Sequence, residues 1–177
     1  MGIVGGRARG TGEPVVRAAY ADPPYPGYGK FYEGGREVNH ELLIEWLNRD
    51  FDAWALSTAS VTLQEVLALC PDDVRIAAWV KPFASFKPGV DPAYAWEPVI
   101  FKSARKWRRD QMTARDWVGT SITLKRGFTG AKPAAFCYWL FDLLGLYRDD
   151  EFVDVFPGSG AVTTAYETWQ RQTQLAL

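Results

Sequence analysis

Val15-Val16-Arg17-Ala18-Ala19-Tyr20-Ala21-Asp22-Pro23-Pro24-Tyr25 joins an apolar run to an acid and a double proline. From Val15 to Tyr20 the run reads as a buried strand, and the two prolines stop it abruptly. Asp22 is thereby left at a strand's C-terminal end, the edge where open α/β sheets bind ligands. Pro23 and Pro24 have a set φ and no N–H, so the turn is stiff and its carbonyls act only as acceptors. With the ring of Tyr25 beside them, these acceptors suit a planar group that carries an NH2.

Downstream, helix and strand signals alternate. Leu42, Leu43, Trp46 and Leu47 follow helical spacing behind Asn39, a good N-cap, and the helix should end near Asp50. Residues 51–57 read as a strand. Thr62 opens a second helix with Leu63, Val66, Leu67 and Leu69, stopped by Pro71, and Arg75 to Val80 reads as the next strand. Trp96-Glu97-Pro98-Val99-Ile100-Phe101 is a further short strand, and Lys132-Pro133 opens a strongly apolar helix over 134–146. This alternation predicts βαβ units around a mostly parallel sheet. Near the end, the strand Glu151 to Phe156 runs into Pro157-Gly158-Ser159-Gly160 and then a helix from Ala161. Small residues there let a ligand approach the backbone, and a helix N-terminus offers free N–H groups.

The 177 residues are 47% hydrophobic and 23% charged, which fits one domain over 14–177 behind a flexible N-terminal arm over 1–13. A net charge of -1 gives no overall attraction to nucleic acid, so such a partner needs a local patch. That patch is the insertion at 102–126, with eight basic residues against two acidic ones and Trp107 and Trp117 interleaved. Lys102, Arg105, Lys106, Arg108, Arg109 and Arg115 are its candidate nucleic-acid contacts, since basic groups with aromatics suit phosphates and unstacked bases. The single histidine, His40, reads as a surface residue and leaves no material for a His-based triad or a His-rich metal site. Cys70 and Cys137 read as buried thiols. No apolar run is long enough to span a membrane and no signal peptide opens the chain, so a cytoplasmic protein is expected.

Asp22-Pro23-Pro24-Tyr25 resembles motif IV of the amino-methyltransferases, the S-adenosylmethionine-dependent enzymes that methylate exocyclic nitrogens of nucleobases. Asp154-Val155-Phe156-Pro157-Gly158-Ser159-Gly160 is similar to their motif I. Thr129, Lys132 and Pro133 resemble the element that precedes it, and Trp96 to Phe101 resembles their Glu-containing strand. The order, catalytic motif first and cofactor motif last, is that of the circularly permuted β-type enzymes. The resemblance implies a Rossmann-like methyltransferase sheet, circularly permuted. In this family two more strands follow motif I, the first ending in an acid that binds the cofactor ribose. Since 17 residues remain after Gly160, the expected sheet has about five strands.

The resemblance further implies S-adenosylmethionine as cofactor, held by Asp154, Phe156, Gly158, Ser159, Gly160, Lys132 and Pro133. Asp22, Pro23, Pro24 and Tyr25 become the catalytic residues. No metal is required. The implied reaction is methyl transfer to adenine N6 in DNA with the base flipped out. Cytosine N4, an RNA adenine, or a non-catalytic nucleic-acid-binding partner subunit are the alternatives, and a homodimer or partner chain would complete the sheet.

Overall fold

A computed structural model describes residues 12–27, 37–82, 88–106, 113–122 and 131–172. Strand β1 (Arg17–Ala21) is followed by helix α1 (His40–Asp50), β2 (Ala53–Ser57), the short α2 (Leu63–Leu67) and β3 (Arg75–Val80). Then come β4 (Trp96–Lys102), β5 (Trp117–Gly119), α3 (Ala134–Leu144), β6 (Glu151–Asp154) and α4 (Ala161–Arg171). Among the described residues, only Gly12 and Glu13 of the expected N-terminal arm are present.

The strands form one sheet in the order β5-β3-β4-β2-β1-β6. β1 pairs in parallel with β2 and β6, and β3 with β5, while β4 runs antiparallel to both its neighbours, β2 and β3. Five strands therefore point one way and β4 alone points back. The sheet has six strands where about five were expected. The additional one is β5, inside the basic insertion, where no strand was expected. It is held by Ala78 N–H donating to Asp116 O at 2.8 Å and Thr120 N–H donating to Val80 O at 3.1 Å.

Alternation along each strand sorts side chains onto two faces. Ala18 and Tyr20 of β1, Ala53 and Ala55 of β2, Trp79 of β3, and Val99 and Phe101 of β4 pack against α3 and α4. Ala19, Ala21, Trp54, Leu56 and Ile100 face the opposite way, against Leu43, Ile44 and Leu47 of α1 and Val66 of α2. The result is a three-layer sandwich. α3 is apolar nearly all round because it lies between the sheet and α4, and Phe136, Leu140, Phe141 and Leu144 are fully buried. Each such side chain contributes about 1.5–3 kcal/mol relative to exposure. α1 starts as its sequence predicts, with Asn39 Oδ1 accepting from the Leu42 N–H at 3.0 Å.

Candidate active site

The parity that builds the core also builds the site. Asp22 follows Tyr20 by two residues and Glu97 precedes Val99 by two, so both belong to the face covered by α3. Lys81 extends the row of Ala77 and Trp79, and Lys132 stands immediately before α3. β4 runs backwards, so its beginning, not its end, lies level with the C-terminal ends of β1, β2 and β3. Four charged groups from four parts of the chain converge there.

Lys132 Nζ donates to Glu97 Oε1 at 2.6 Å and lies 3.1 Å from Asp22 Oδ1. Glu97 Oε2 accepts from Lys81 Nζ at 2.9 Å. Cation and anion thus alternate as Lys81, Glu97, Lys132 and Asp22. The Lys132 and Glu97 side chains are only 6% and 9% exposed, whereas Asp22 is 26% exposed. The Lys132 ammonium sits 5.1 Å from the Trp79 ring centre and 5.5 Å from that of Phe136, and Lys81 lies 4.6 Å from Trp79. Charges this deep persist only where each is paired.

Burial lowers the proton affinity of Lys132, but Asp22 and Glu97 outweigh it and hold the ammonium well above the usual lysine range. Burial raises the Glu97 carboxyl, yet Lys132 and Lys81 bring it below its ordinary value. Asp22 ends the other way: burial pushes it up, Lys132 opposes, and the Glu97 and Asp154 charges add to the rise. Tyr25 closes the same space. Burial and the Glu97 charge push its phenol well above the usual range, so it stays neutral. Beneath, the Tyr20 and Ser57 hydroxyls share a buried hydrogen bond of 2.7 Å.

The glycine turn lies next door. Tyr20 pairs with Asp154 in the β1–β6 ladder, and Val155 N–H donates to Tyr20 O at 2.9 Å. The turns leaving the two strands are therefore neighbours at one sheet edge, one strand spacing apart. Gly158 and Gly160 have φ of 43° and 70°, a left-handed conformation that side chains resist. Gly160 is the N-cap of α4 and brings no side chain to it. The Asp154 carboxylate, itself raised by burial, accepts from Thr163 Oγ1 at 3.0 Å and ties the strand end to the first turn of α4. Ser159 is half-buried in the turn, and half-buried Phe156 packs on the α1 side of the core. Pro133 takes the N-cap position of α3.

Lys132, a candidate cofactor contact by resemblance, directs its ammonium to Asp22 and Glu97. Lys81 was not singled out, and Glu97 entered only through the resemblance of its strand, although its alternation with Val99 and Phe101 already places it on the α3 face.

The described residues of the basic insertion divide between structural and exposed positions. Because β4 is reversed, the chain leaves it at the strand-start edge, opposite Asp22. Lys102 is engaged by Asn48 and Asp73 at 3.0 Å each. Arg105 is a structural clamp: its guanidinium binds Asp150 at 2.5 and 2.9 Å, Gly145 O at 3.0 Å and Pro14 O at 2.8 Å. Both of its terminal nitrogens are committed to these partners, and Nε faces Glu13 at 3.9 Å. Lys106 and Arg115 are exposed at the same far edge, Arg115 lying 5.7 Å from the Trp117 ring centre. Arg108, Arg109 and Thr129 lie outside the described residues. A groove on the Asp22 edge, lined by Val61, Tyr94 and Trp96 among others, carries exposed aromatics instead.

One reversed strand among five parallel ones, with the Asp22 and Gly158-Ser159-Gly160 turns on adjacent strand ends, defines a Rossmann-like α/β fold. Among the solved structures that share it are two of M1.HpyAVI. The crystal structure of the M1.HpyAVI–SAM complex matches with a TM-score of 0.58 at 14% identity, over 88% of this chain and 79% of that one. The crystal structure of M1.HpyAVI matches with a TM-score of 0.55 at 15% identity, over 88% and 77%. No family model and no curated protein matches the sequence.

Proposed function

We propose that this chain transfers a methyl group from S-adenosylmethionine to the exocyclic amino group of a nucleobase, adenine N6 in DNA. The carrying observation is that the Asp22 turn and the Gly158-Ser159-Gly160 turn leave adjacent parallel strands. One similar fold was solved with SAM bound, and the turn before α4 fits such a group. Its glycine backbone is bare, with nothing within 4 Å of a Cβ placed on Gly160, and the α4 N-terminus suits a carboxylate. Gly158, Ser159 and Gly160 would hold it, with Asp154 keeping the turn in place. Bound there, S-adenosylmethionine would supply a methyl already activated as a sulfonium.

The chain's own residues do the rest. The adenine amino nitrogen is a poor nucleophile because its lone pair is delocalised into the ring. Asp22 and the Pro23 carbonyl accept its two N–H groups and turn that lone pair out of the ring plane. Tyr25 stacks on the base, which must be unstacked to reach this depth. Aspartate at the first motif position, in place of serine, favours adenine N6 over cytosine N4 within the family it resembles.

Calorimetric titration with S-adenosylmethionine, followed by incubation with labelled cofactor and DNA and identification of the modified nucleoside, tests the reading. Asp22→Ala should abolish transfer and leave cofactor binding nearly intact, and loss of both together would refute the role of Asp22. A second reading, a non-catalytic partner subunit, is favoured by the place of β6 at the sheet's edge, where another chain can add strands. Absence of cofactor binding by the isolated chain would select it.

A further inference from the structure

The cluster behind Asp22 is shared unequally. Glu97 spends one oxygen on each lysine, Oε1 on Lys132 at 2.6 Å and Oε2 on Lys81 at 2.9 Å. Lys132 reaches Asp22 only at 3.1 Å. An ammonium has three donors and a carboxylate about four acceptor sites. If Lys132 closed fully onto Asp22, it would occupy lone pairs that an incoming amino group needs. With Lys132 absent, Asp22 would be a desolvated carboxyl beside the Glu97 charge, and would hold its proton.

Building on the methyl-transfer reading, we propose that Glu97, anchored by Lys81, is a positioning residue that holds the Lys132 ammonium back from Asp22. Asp22 thereby keeps acceptor sites open to the substrate amine, while the Lys132 ammonium, held at 3.1 Å, still favours its ionised form. Glu97 reaches neither substrate nor cofactor in this scheme and acts through Lys132. The groups that face Asp22 are Lys132 before α3, Glu97 on β4, Asp154 on β6, Tyr20 on β1, and Tyr25.

The test uses the full chain with 13C-labelled aspartate carboxyls, the Asp22 resonance being assigned by its loss in Asp22→Asn. Glu97→Gln keeps the shape and removes the charge, so Lys132 answers to Asp22 alone. The Asp22 midpoint should fall, the acid limb of the methyl-transfer pH profile should move down with it, and kcat should drop roughly tenfold to a hundredfold. KM for S-adenosylmethionine should stay unchanged. Lys132→Met should move the midpoint the other way, upward. Lys81→Met, which leaves Glu97 leaning wholly on Lys132, should also raise it and serves if Glu97→Gln does not fold. Variants that lose stability while the Asp22 midpoint stays put would overturn the proposal and reduce Glu97 to a structural ion. Midpoints that move as stated in a chain that neither binds cofactor nor transfers methyl would support the arrangement and remove the methyl-transfer reading; active enzyme with unmoved midpoints would do the reverse.

Discussion

Replacing Arg105 by Met tests whether the first basic residues of the insertion are structural. The Arg105 side chain is 13% exposed and its partner Asp150 is wholly buried. Asp150 binds the guanidinium through both oxygens and also accepts the Val16 N–H at 2.8 Å and the Tyr147 N–H at 2.7 Å. The guanidinium lies 4.1 Å from the Tyr147 ring centre. Methionine keeps much of the volume and leaves a buried carboxylate that has lost its guanidinium partner. Breaking such a pair costs about 3 kcal/mol, the low end for buried ions because the two N–H groups remain. In a domain of this size that lowers Tm by roughly 6–12 °C.

Burial raises the Asp150 carboxyl, but Arg105 and the two N–H groups more than offset it, leaving it below the usual carboxylate range. Its contribution is therefore present above the unfolded carboxylate pKa and is lost as pH falls through the lower folded value. The gap between wild type and variant should narrow on acidification. Urea and thermal unfolding across pH 3 to 8 measure both effects. A loss below about 1 kcal/mol, typical of an exposed pair, or a gap independent of pH, would refute the clamp.

Gly160→Ala meets no neighbouring atom but must adopt φ near 70°; unfolding free energy should fall by about 1–2 kcal/mol and calorimetry should show weaker S-adenosylmethionine binding. Replacing both Arg108 and Arg109 by Ala should lower the slope of log K against log salt for DNA by about 2, measured by fluorescence anisotropy. Lys102→Met should leave that slope unchanged, because its ammonium already serves Asn48 and Asp73.

What the residues announced locally, the structure retains. Two prolines end β1, Asn39 caps α1, and Gly158 to Gly160 form the turn into α4, since each depends on the conformational preferences of neighbours in sequence. The partners of Lys132 were not legible. Asp22 and Glu97 lie far from it along the chain, and spacing says nothing about a charge that folding brings to within 3.1 Å. His40 shows a similar limit. It reads as a surface residue, yet it is 7% exposed and its Nδ1 lies 3.0 Å from Val38 O. The basic insertion was legible as charge but not as direction, because composition does not reveal which way β4 runs.

The backward course of β4 also dictates who can touch a bound substrate. A molecule seated over Asp22 looks out onto the residues that lead into β4, around Tyr94 and Trp96, and onto the chain that emerges from β5 beyond Gly119. Changes of sequence preference should therefore be sought in those two approaches, while an alteration at Arg105 acts from the far side of the sheet and tunes how well the scaffold holds together.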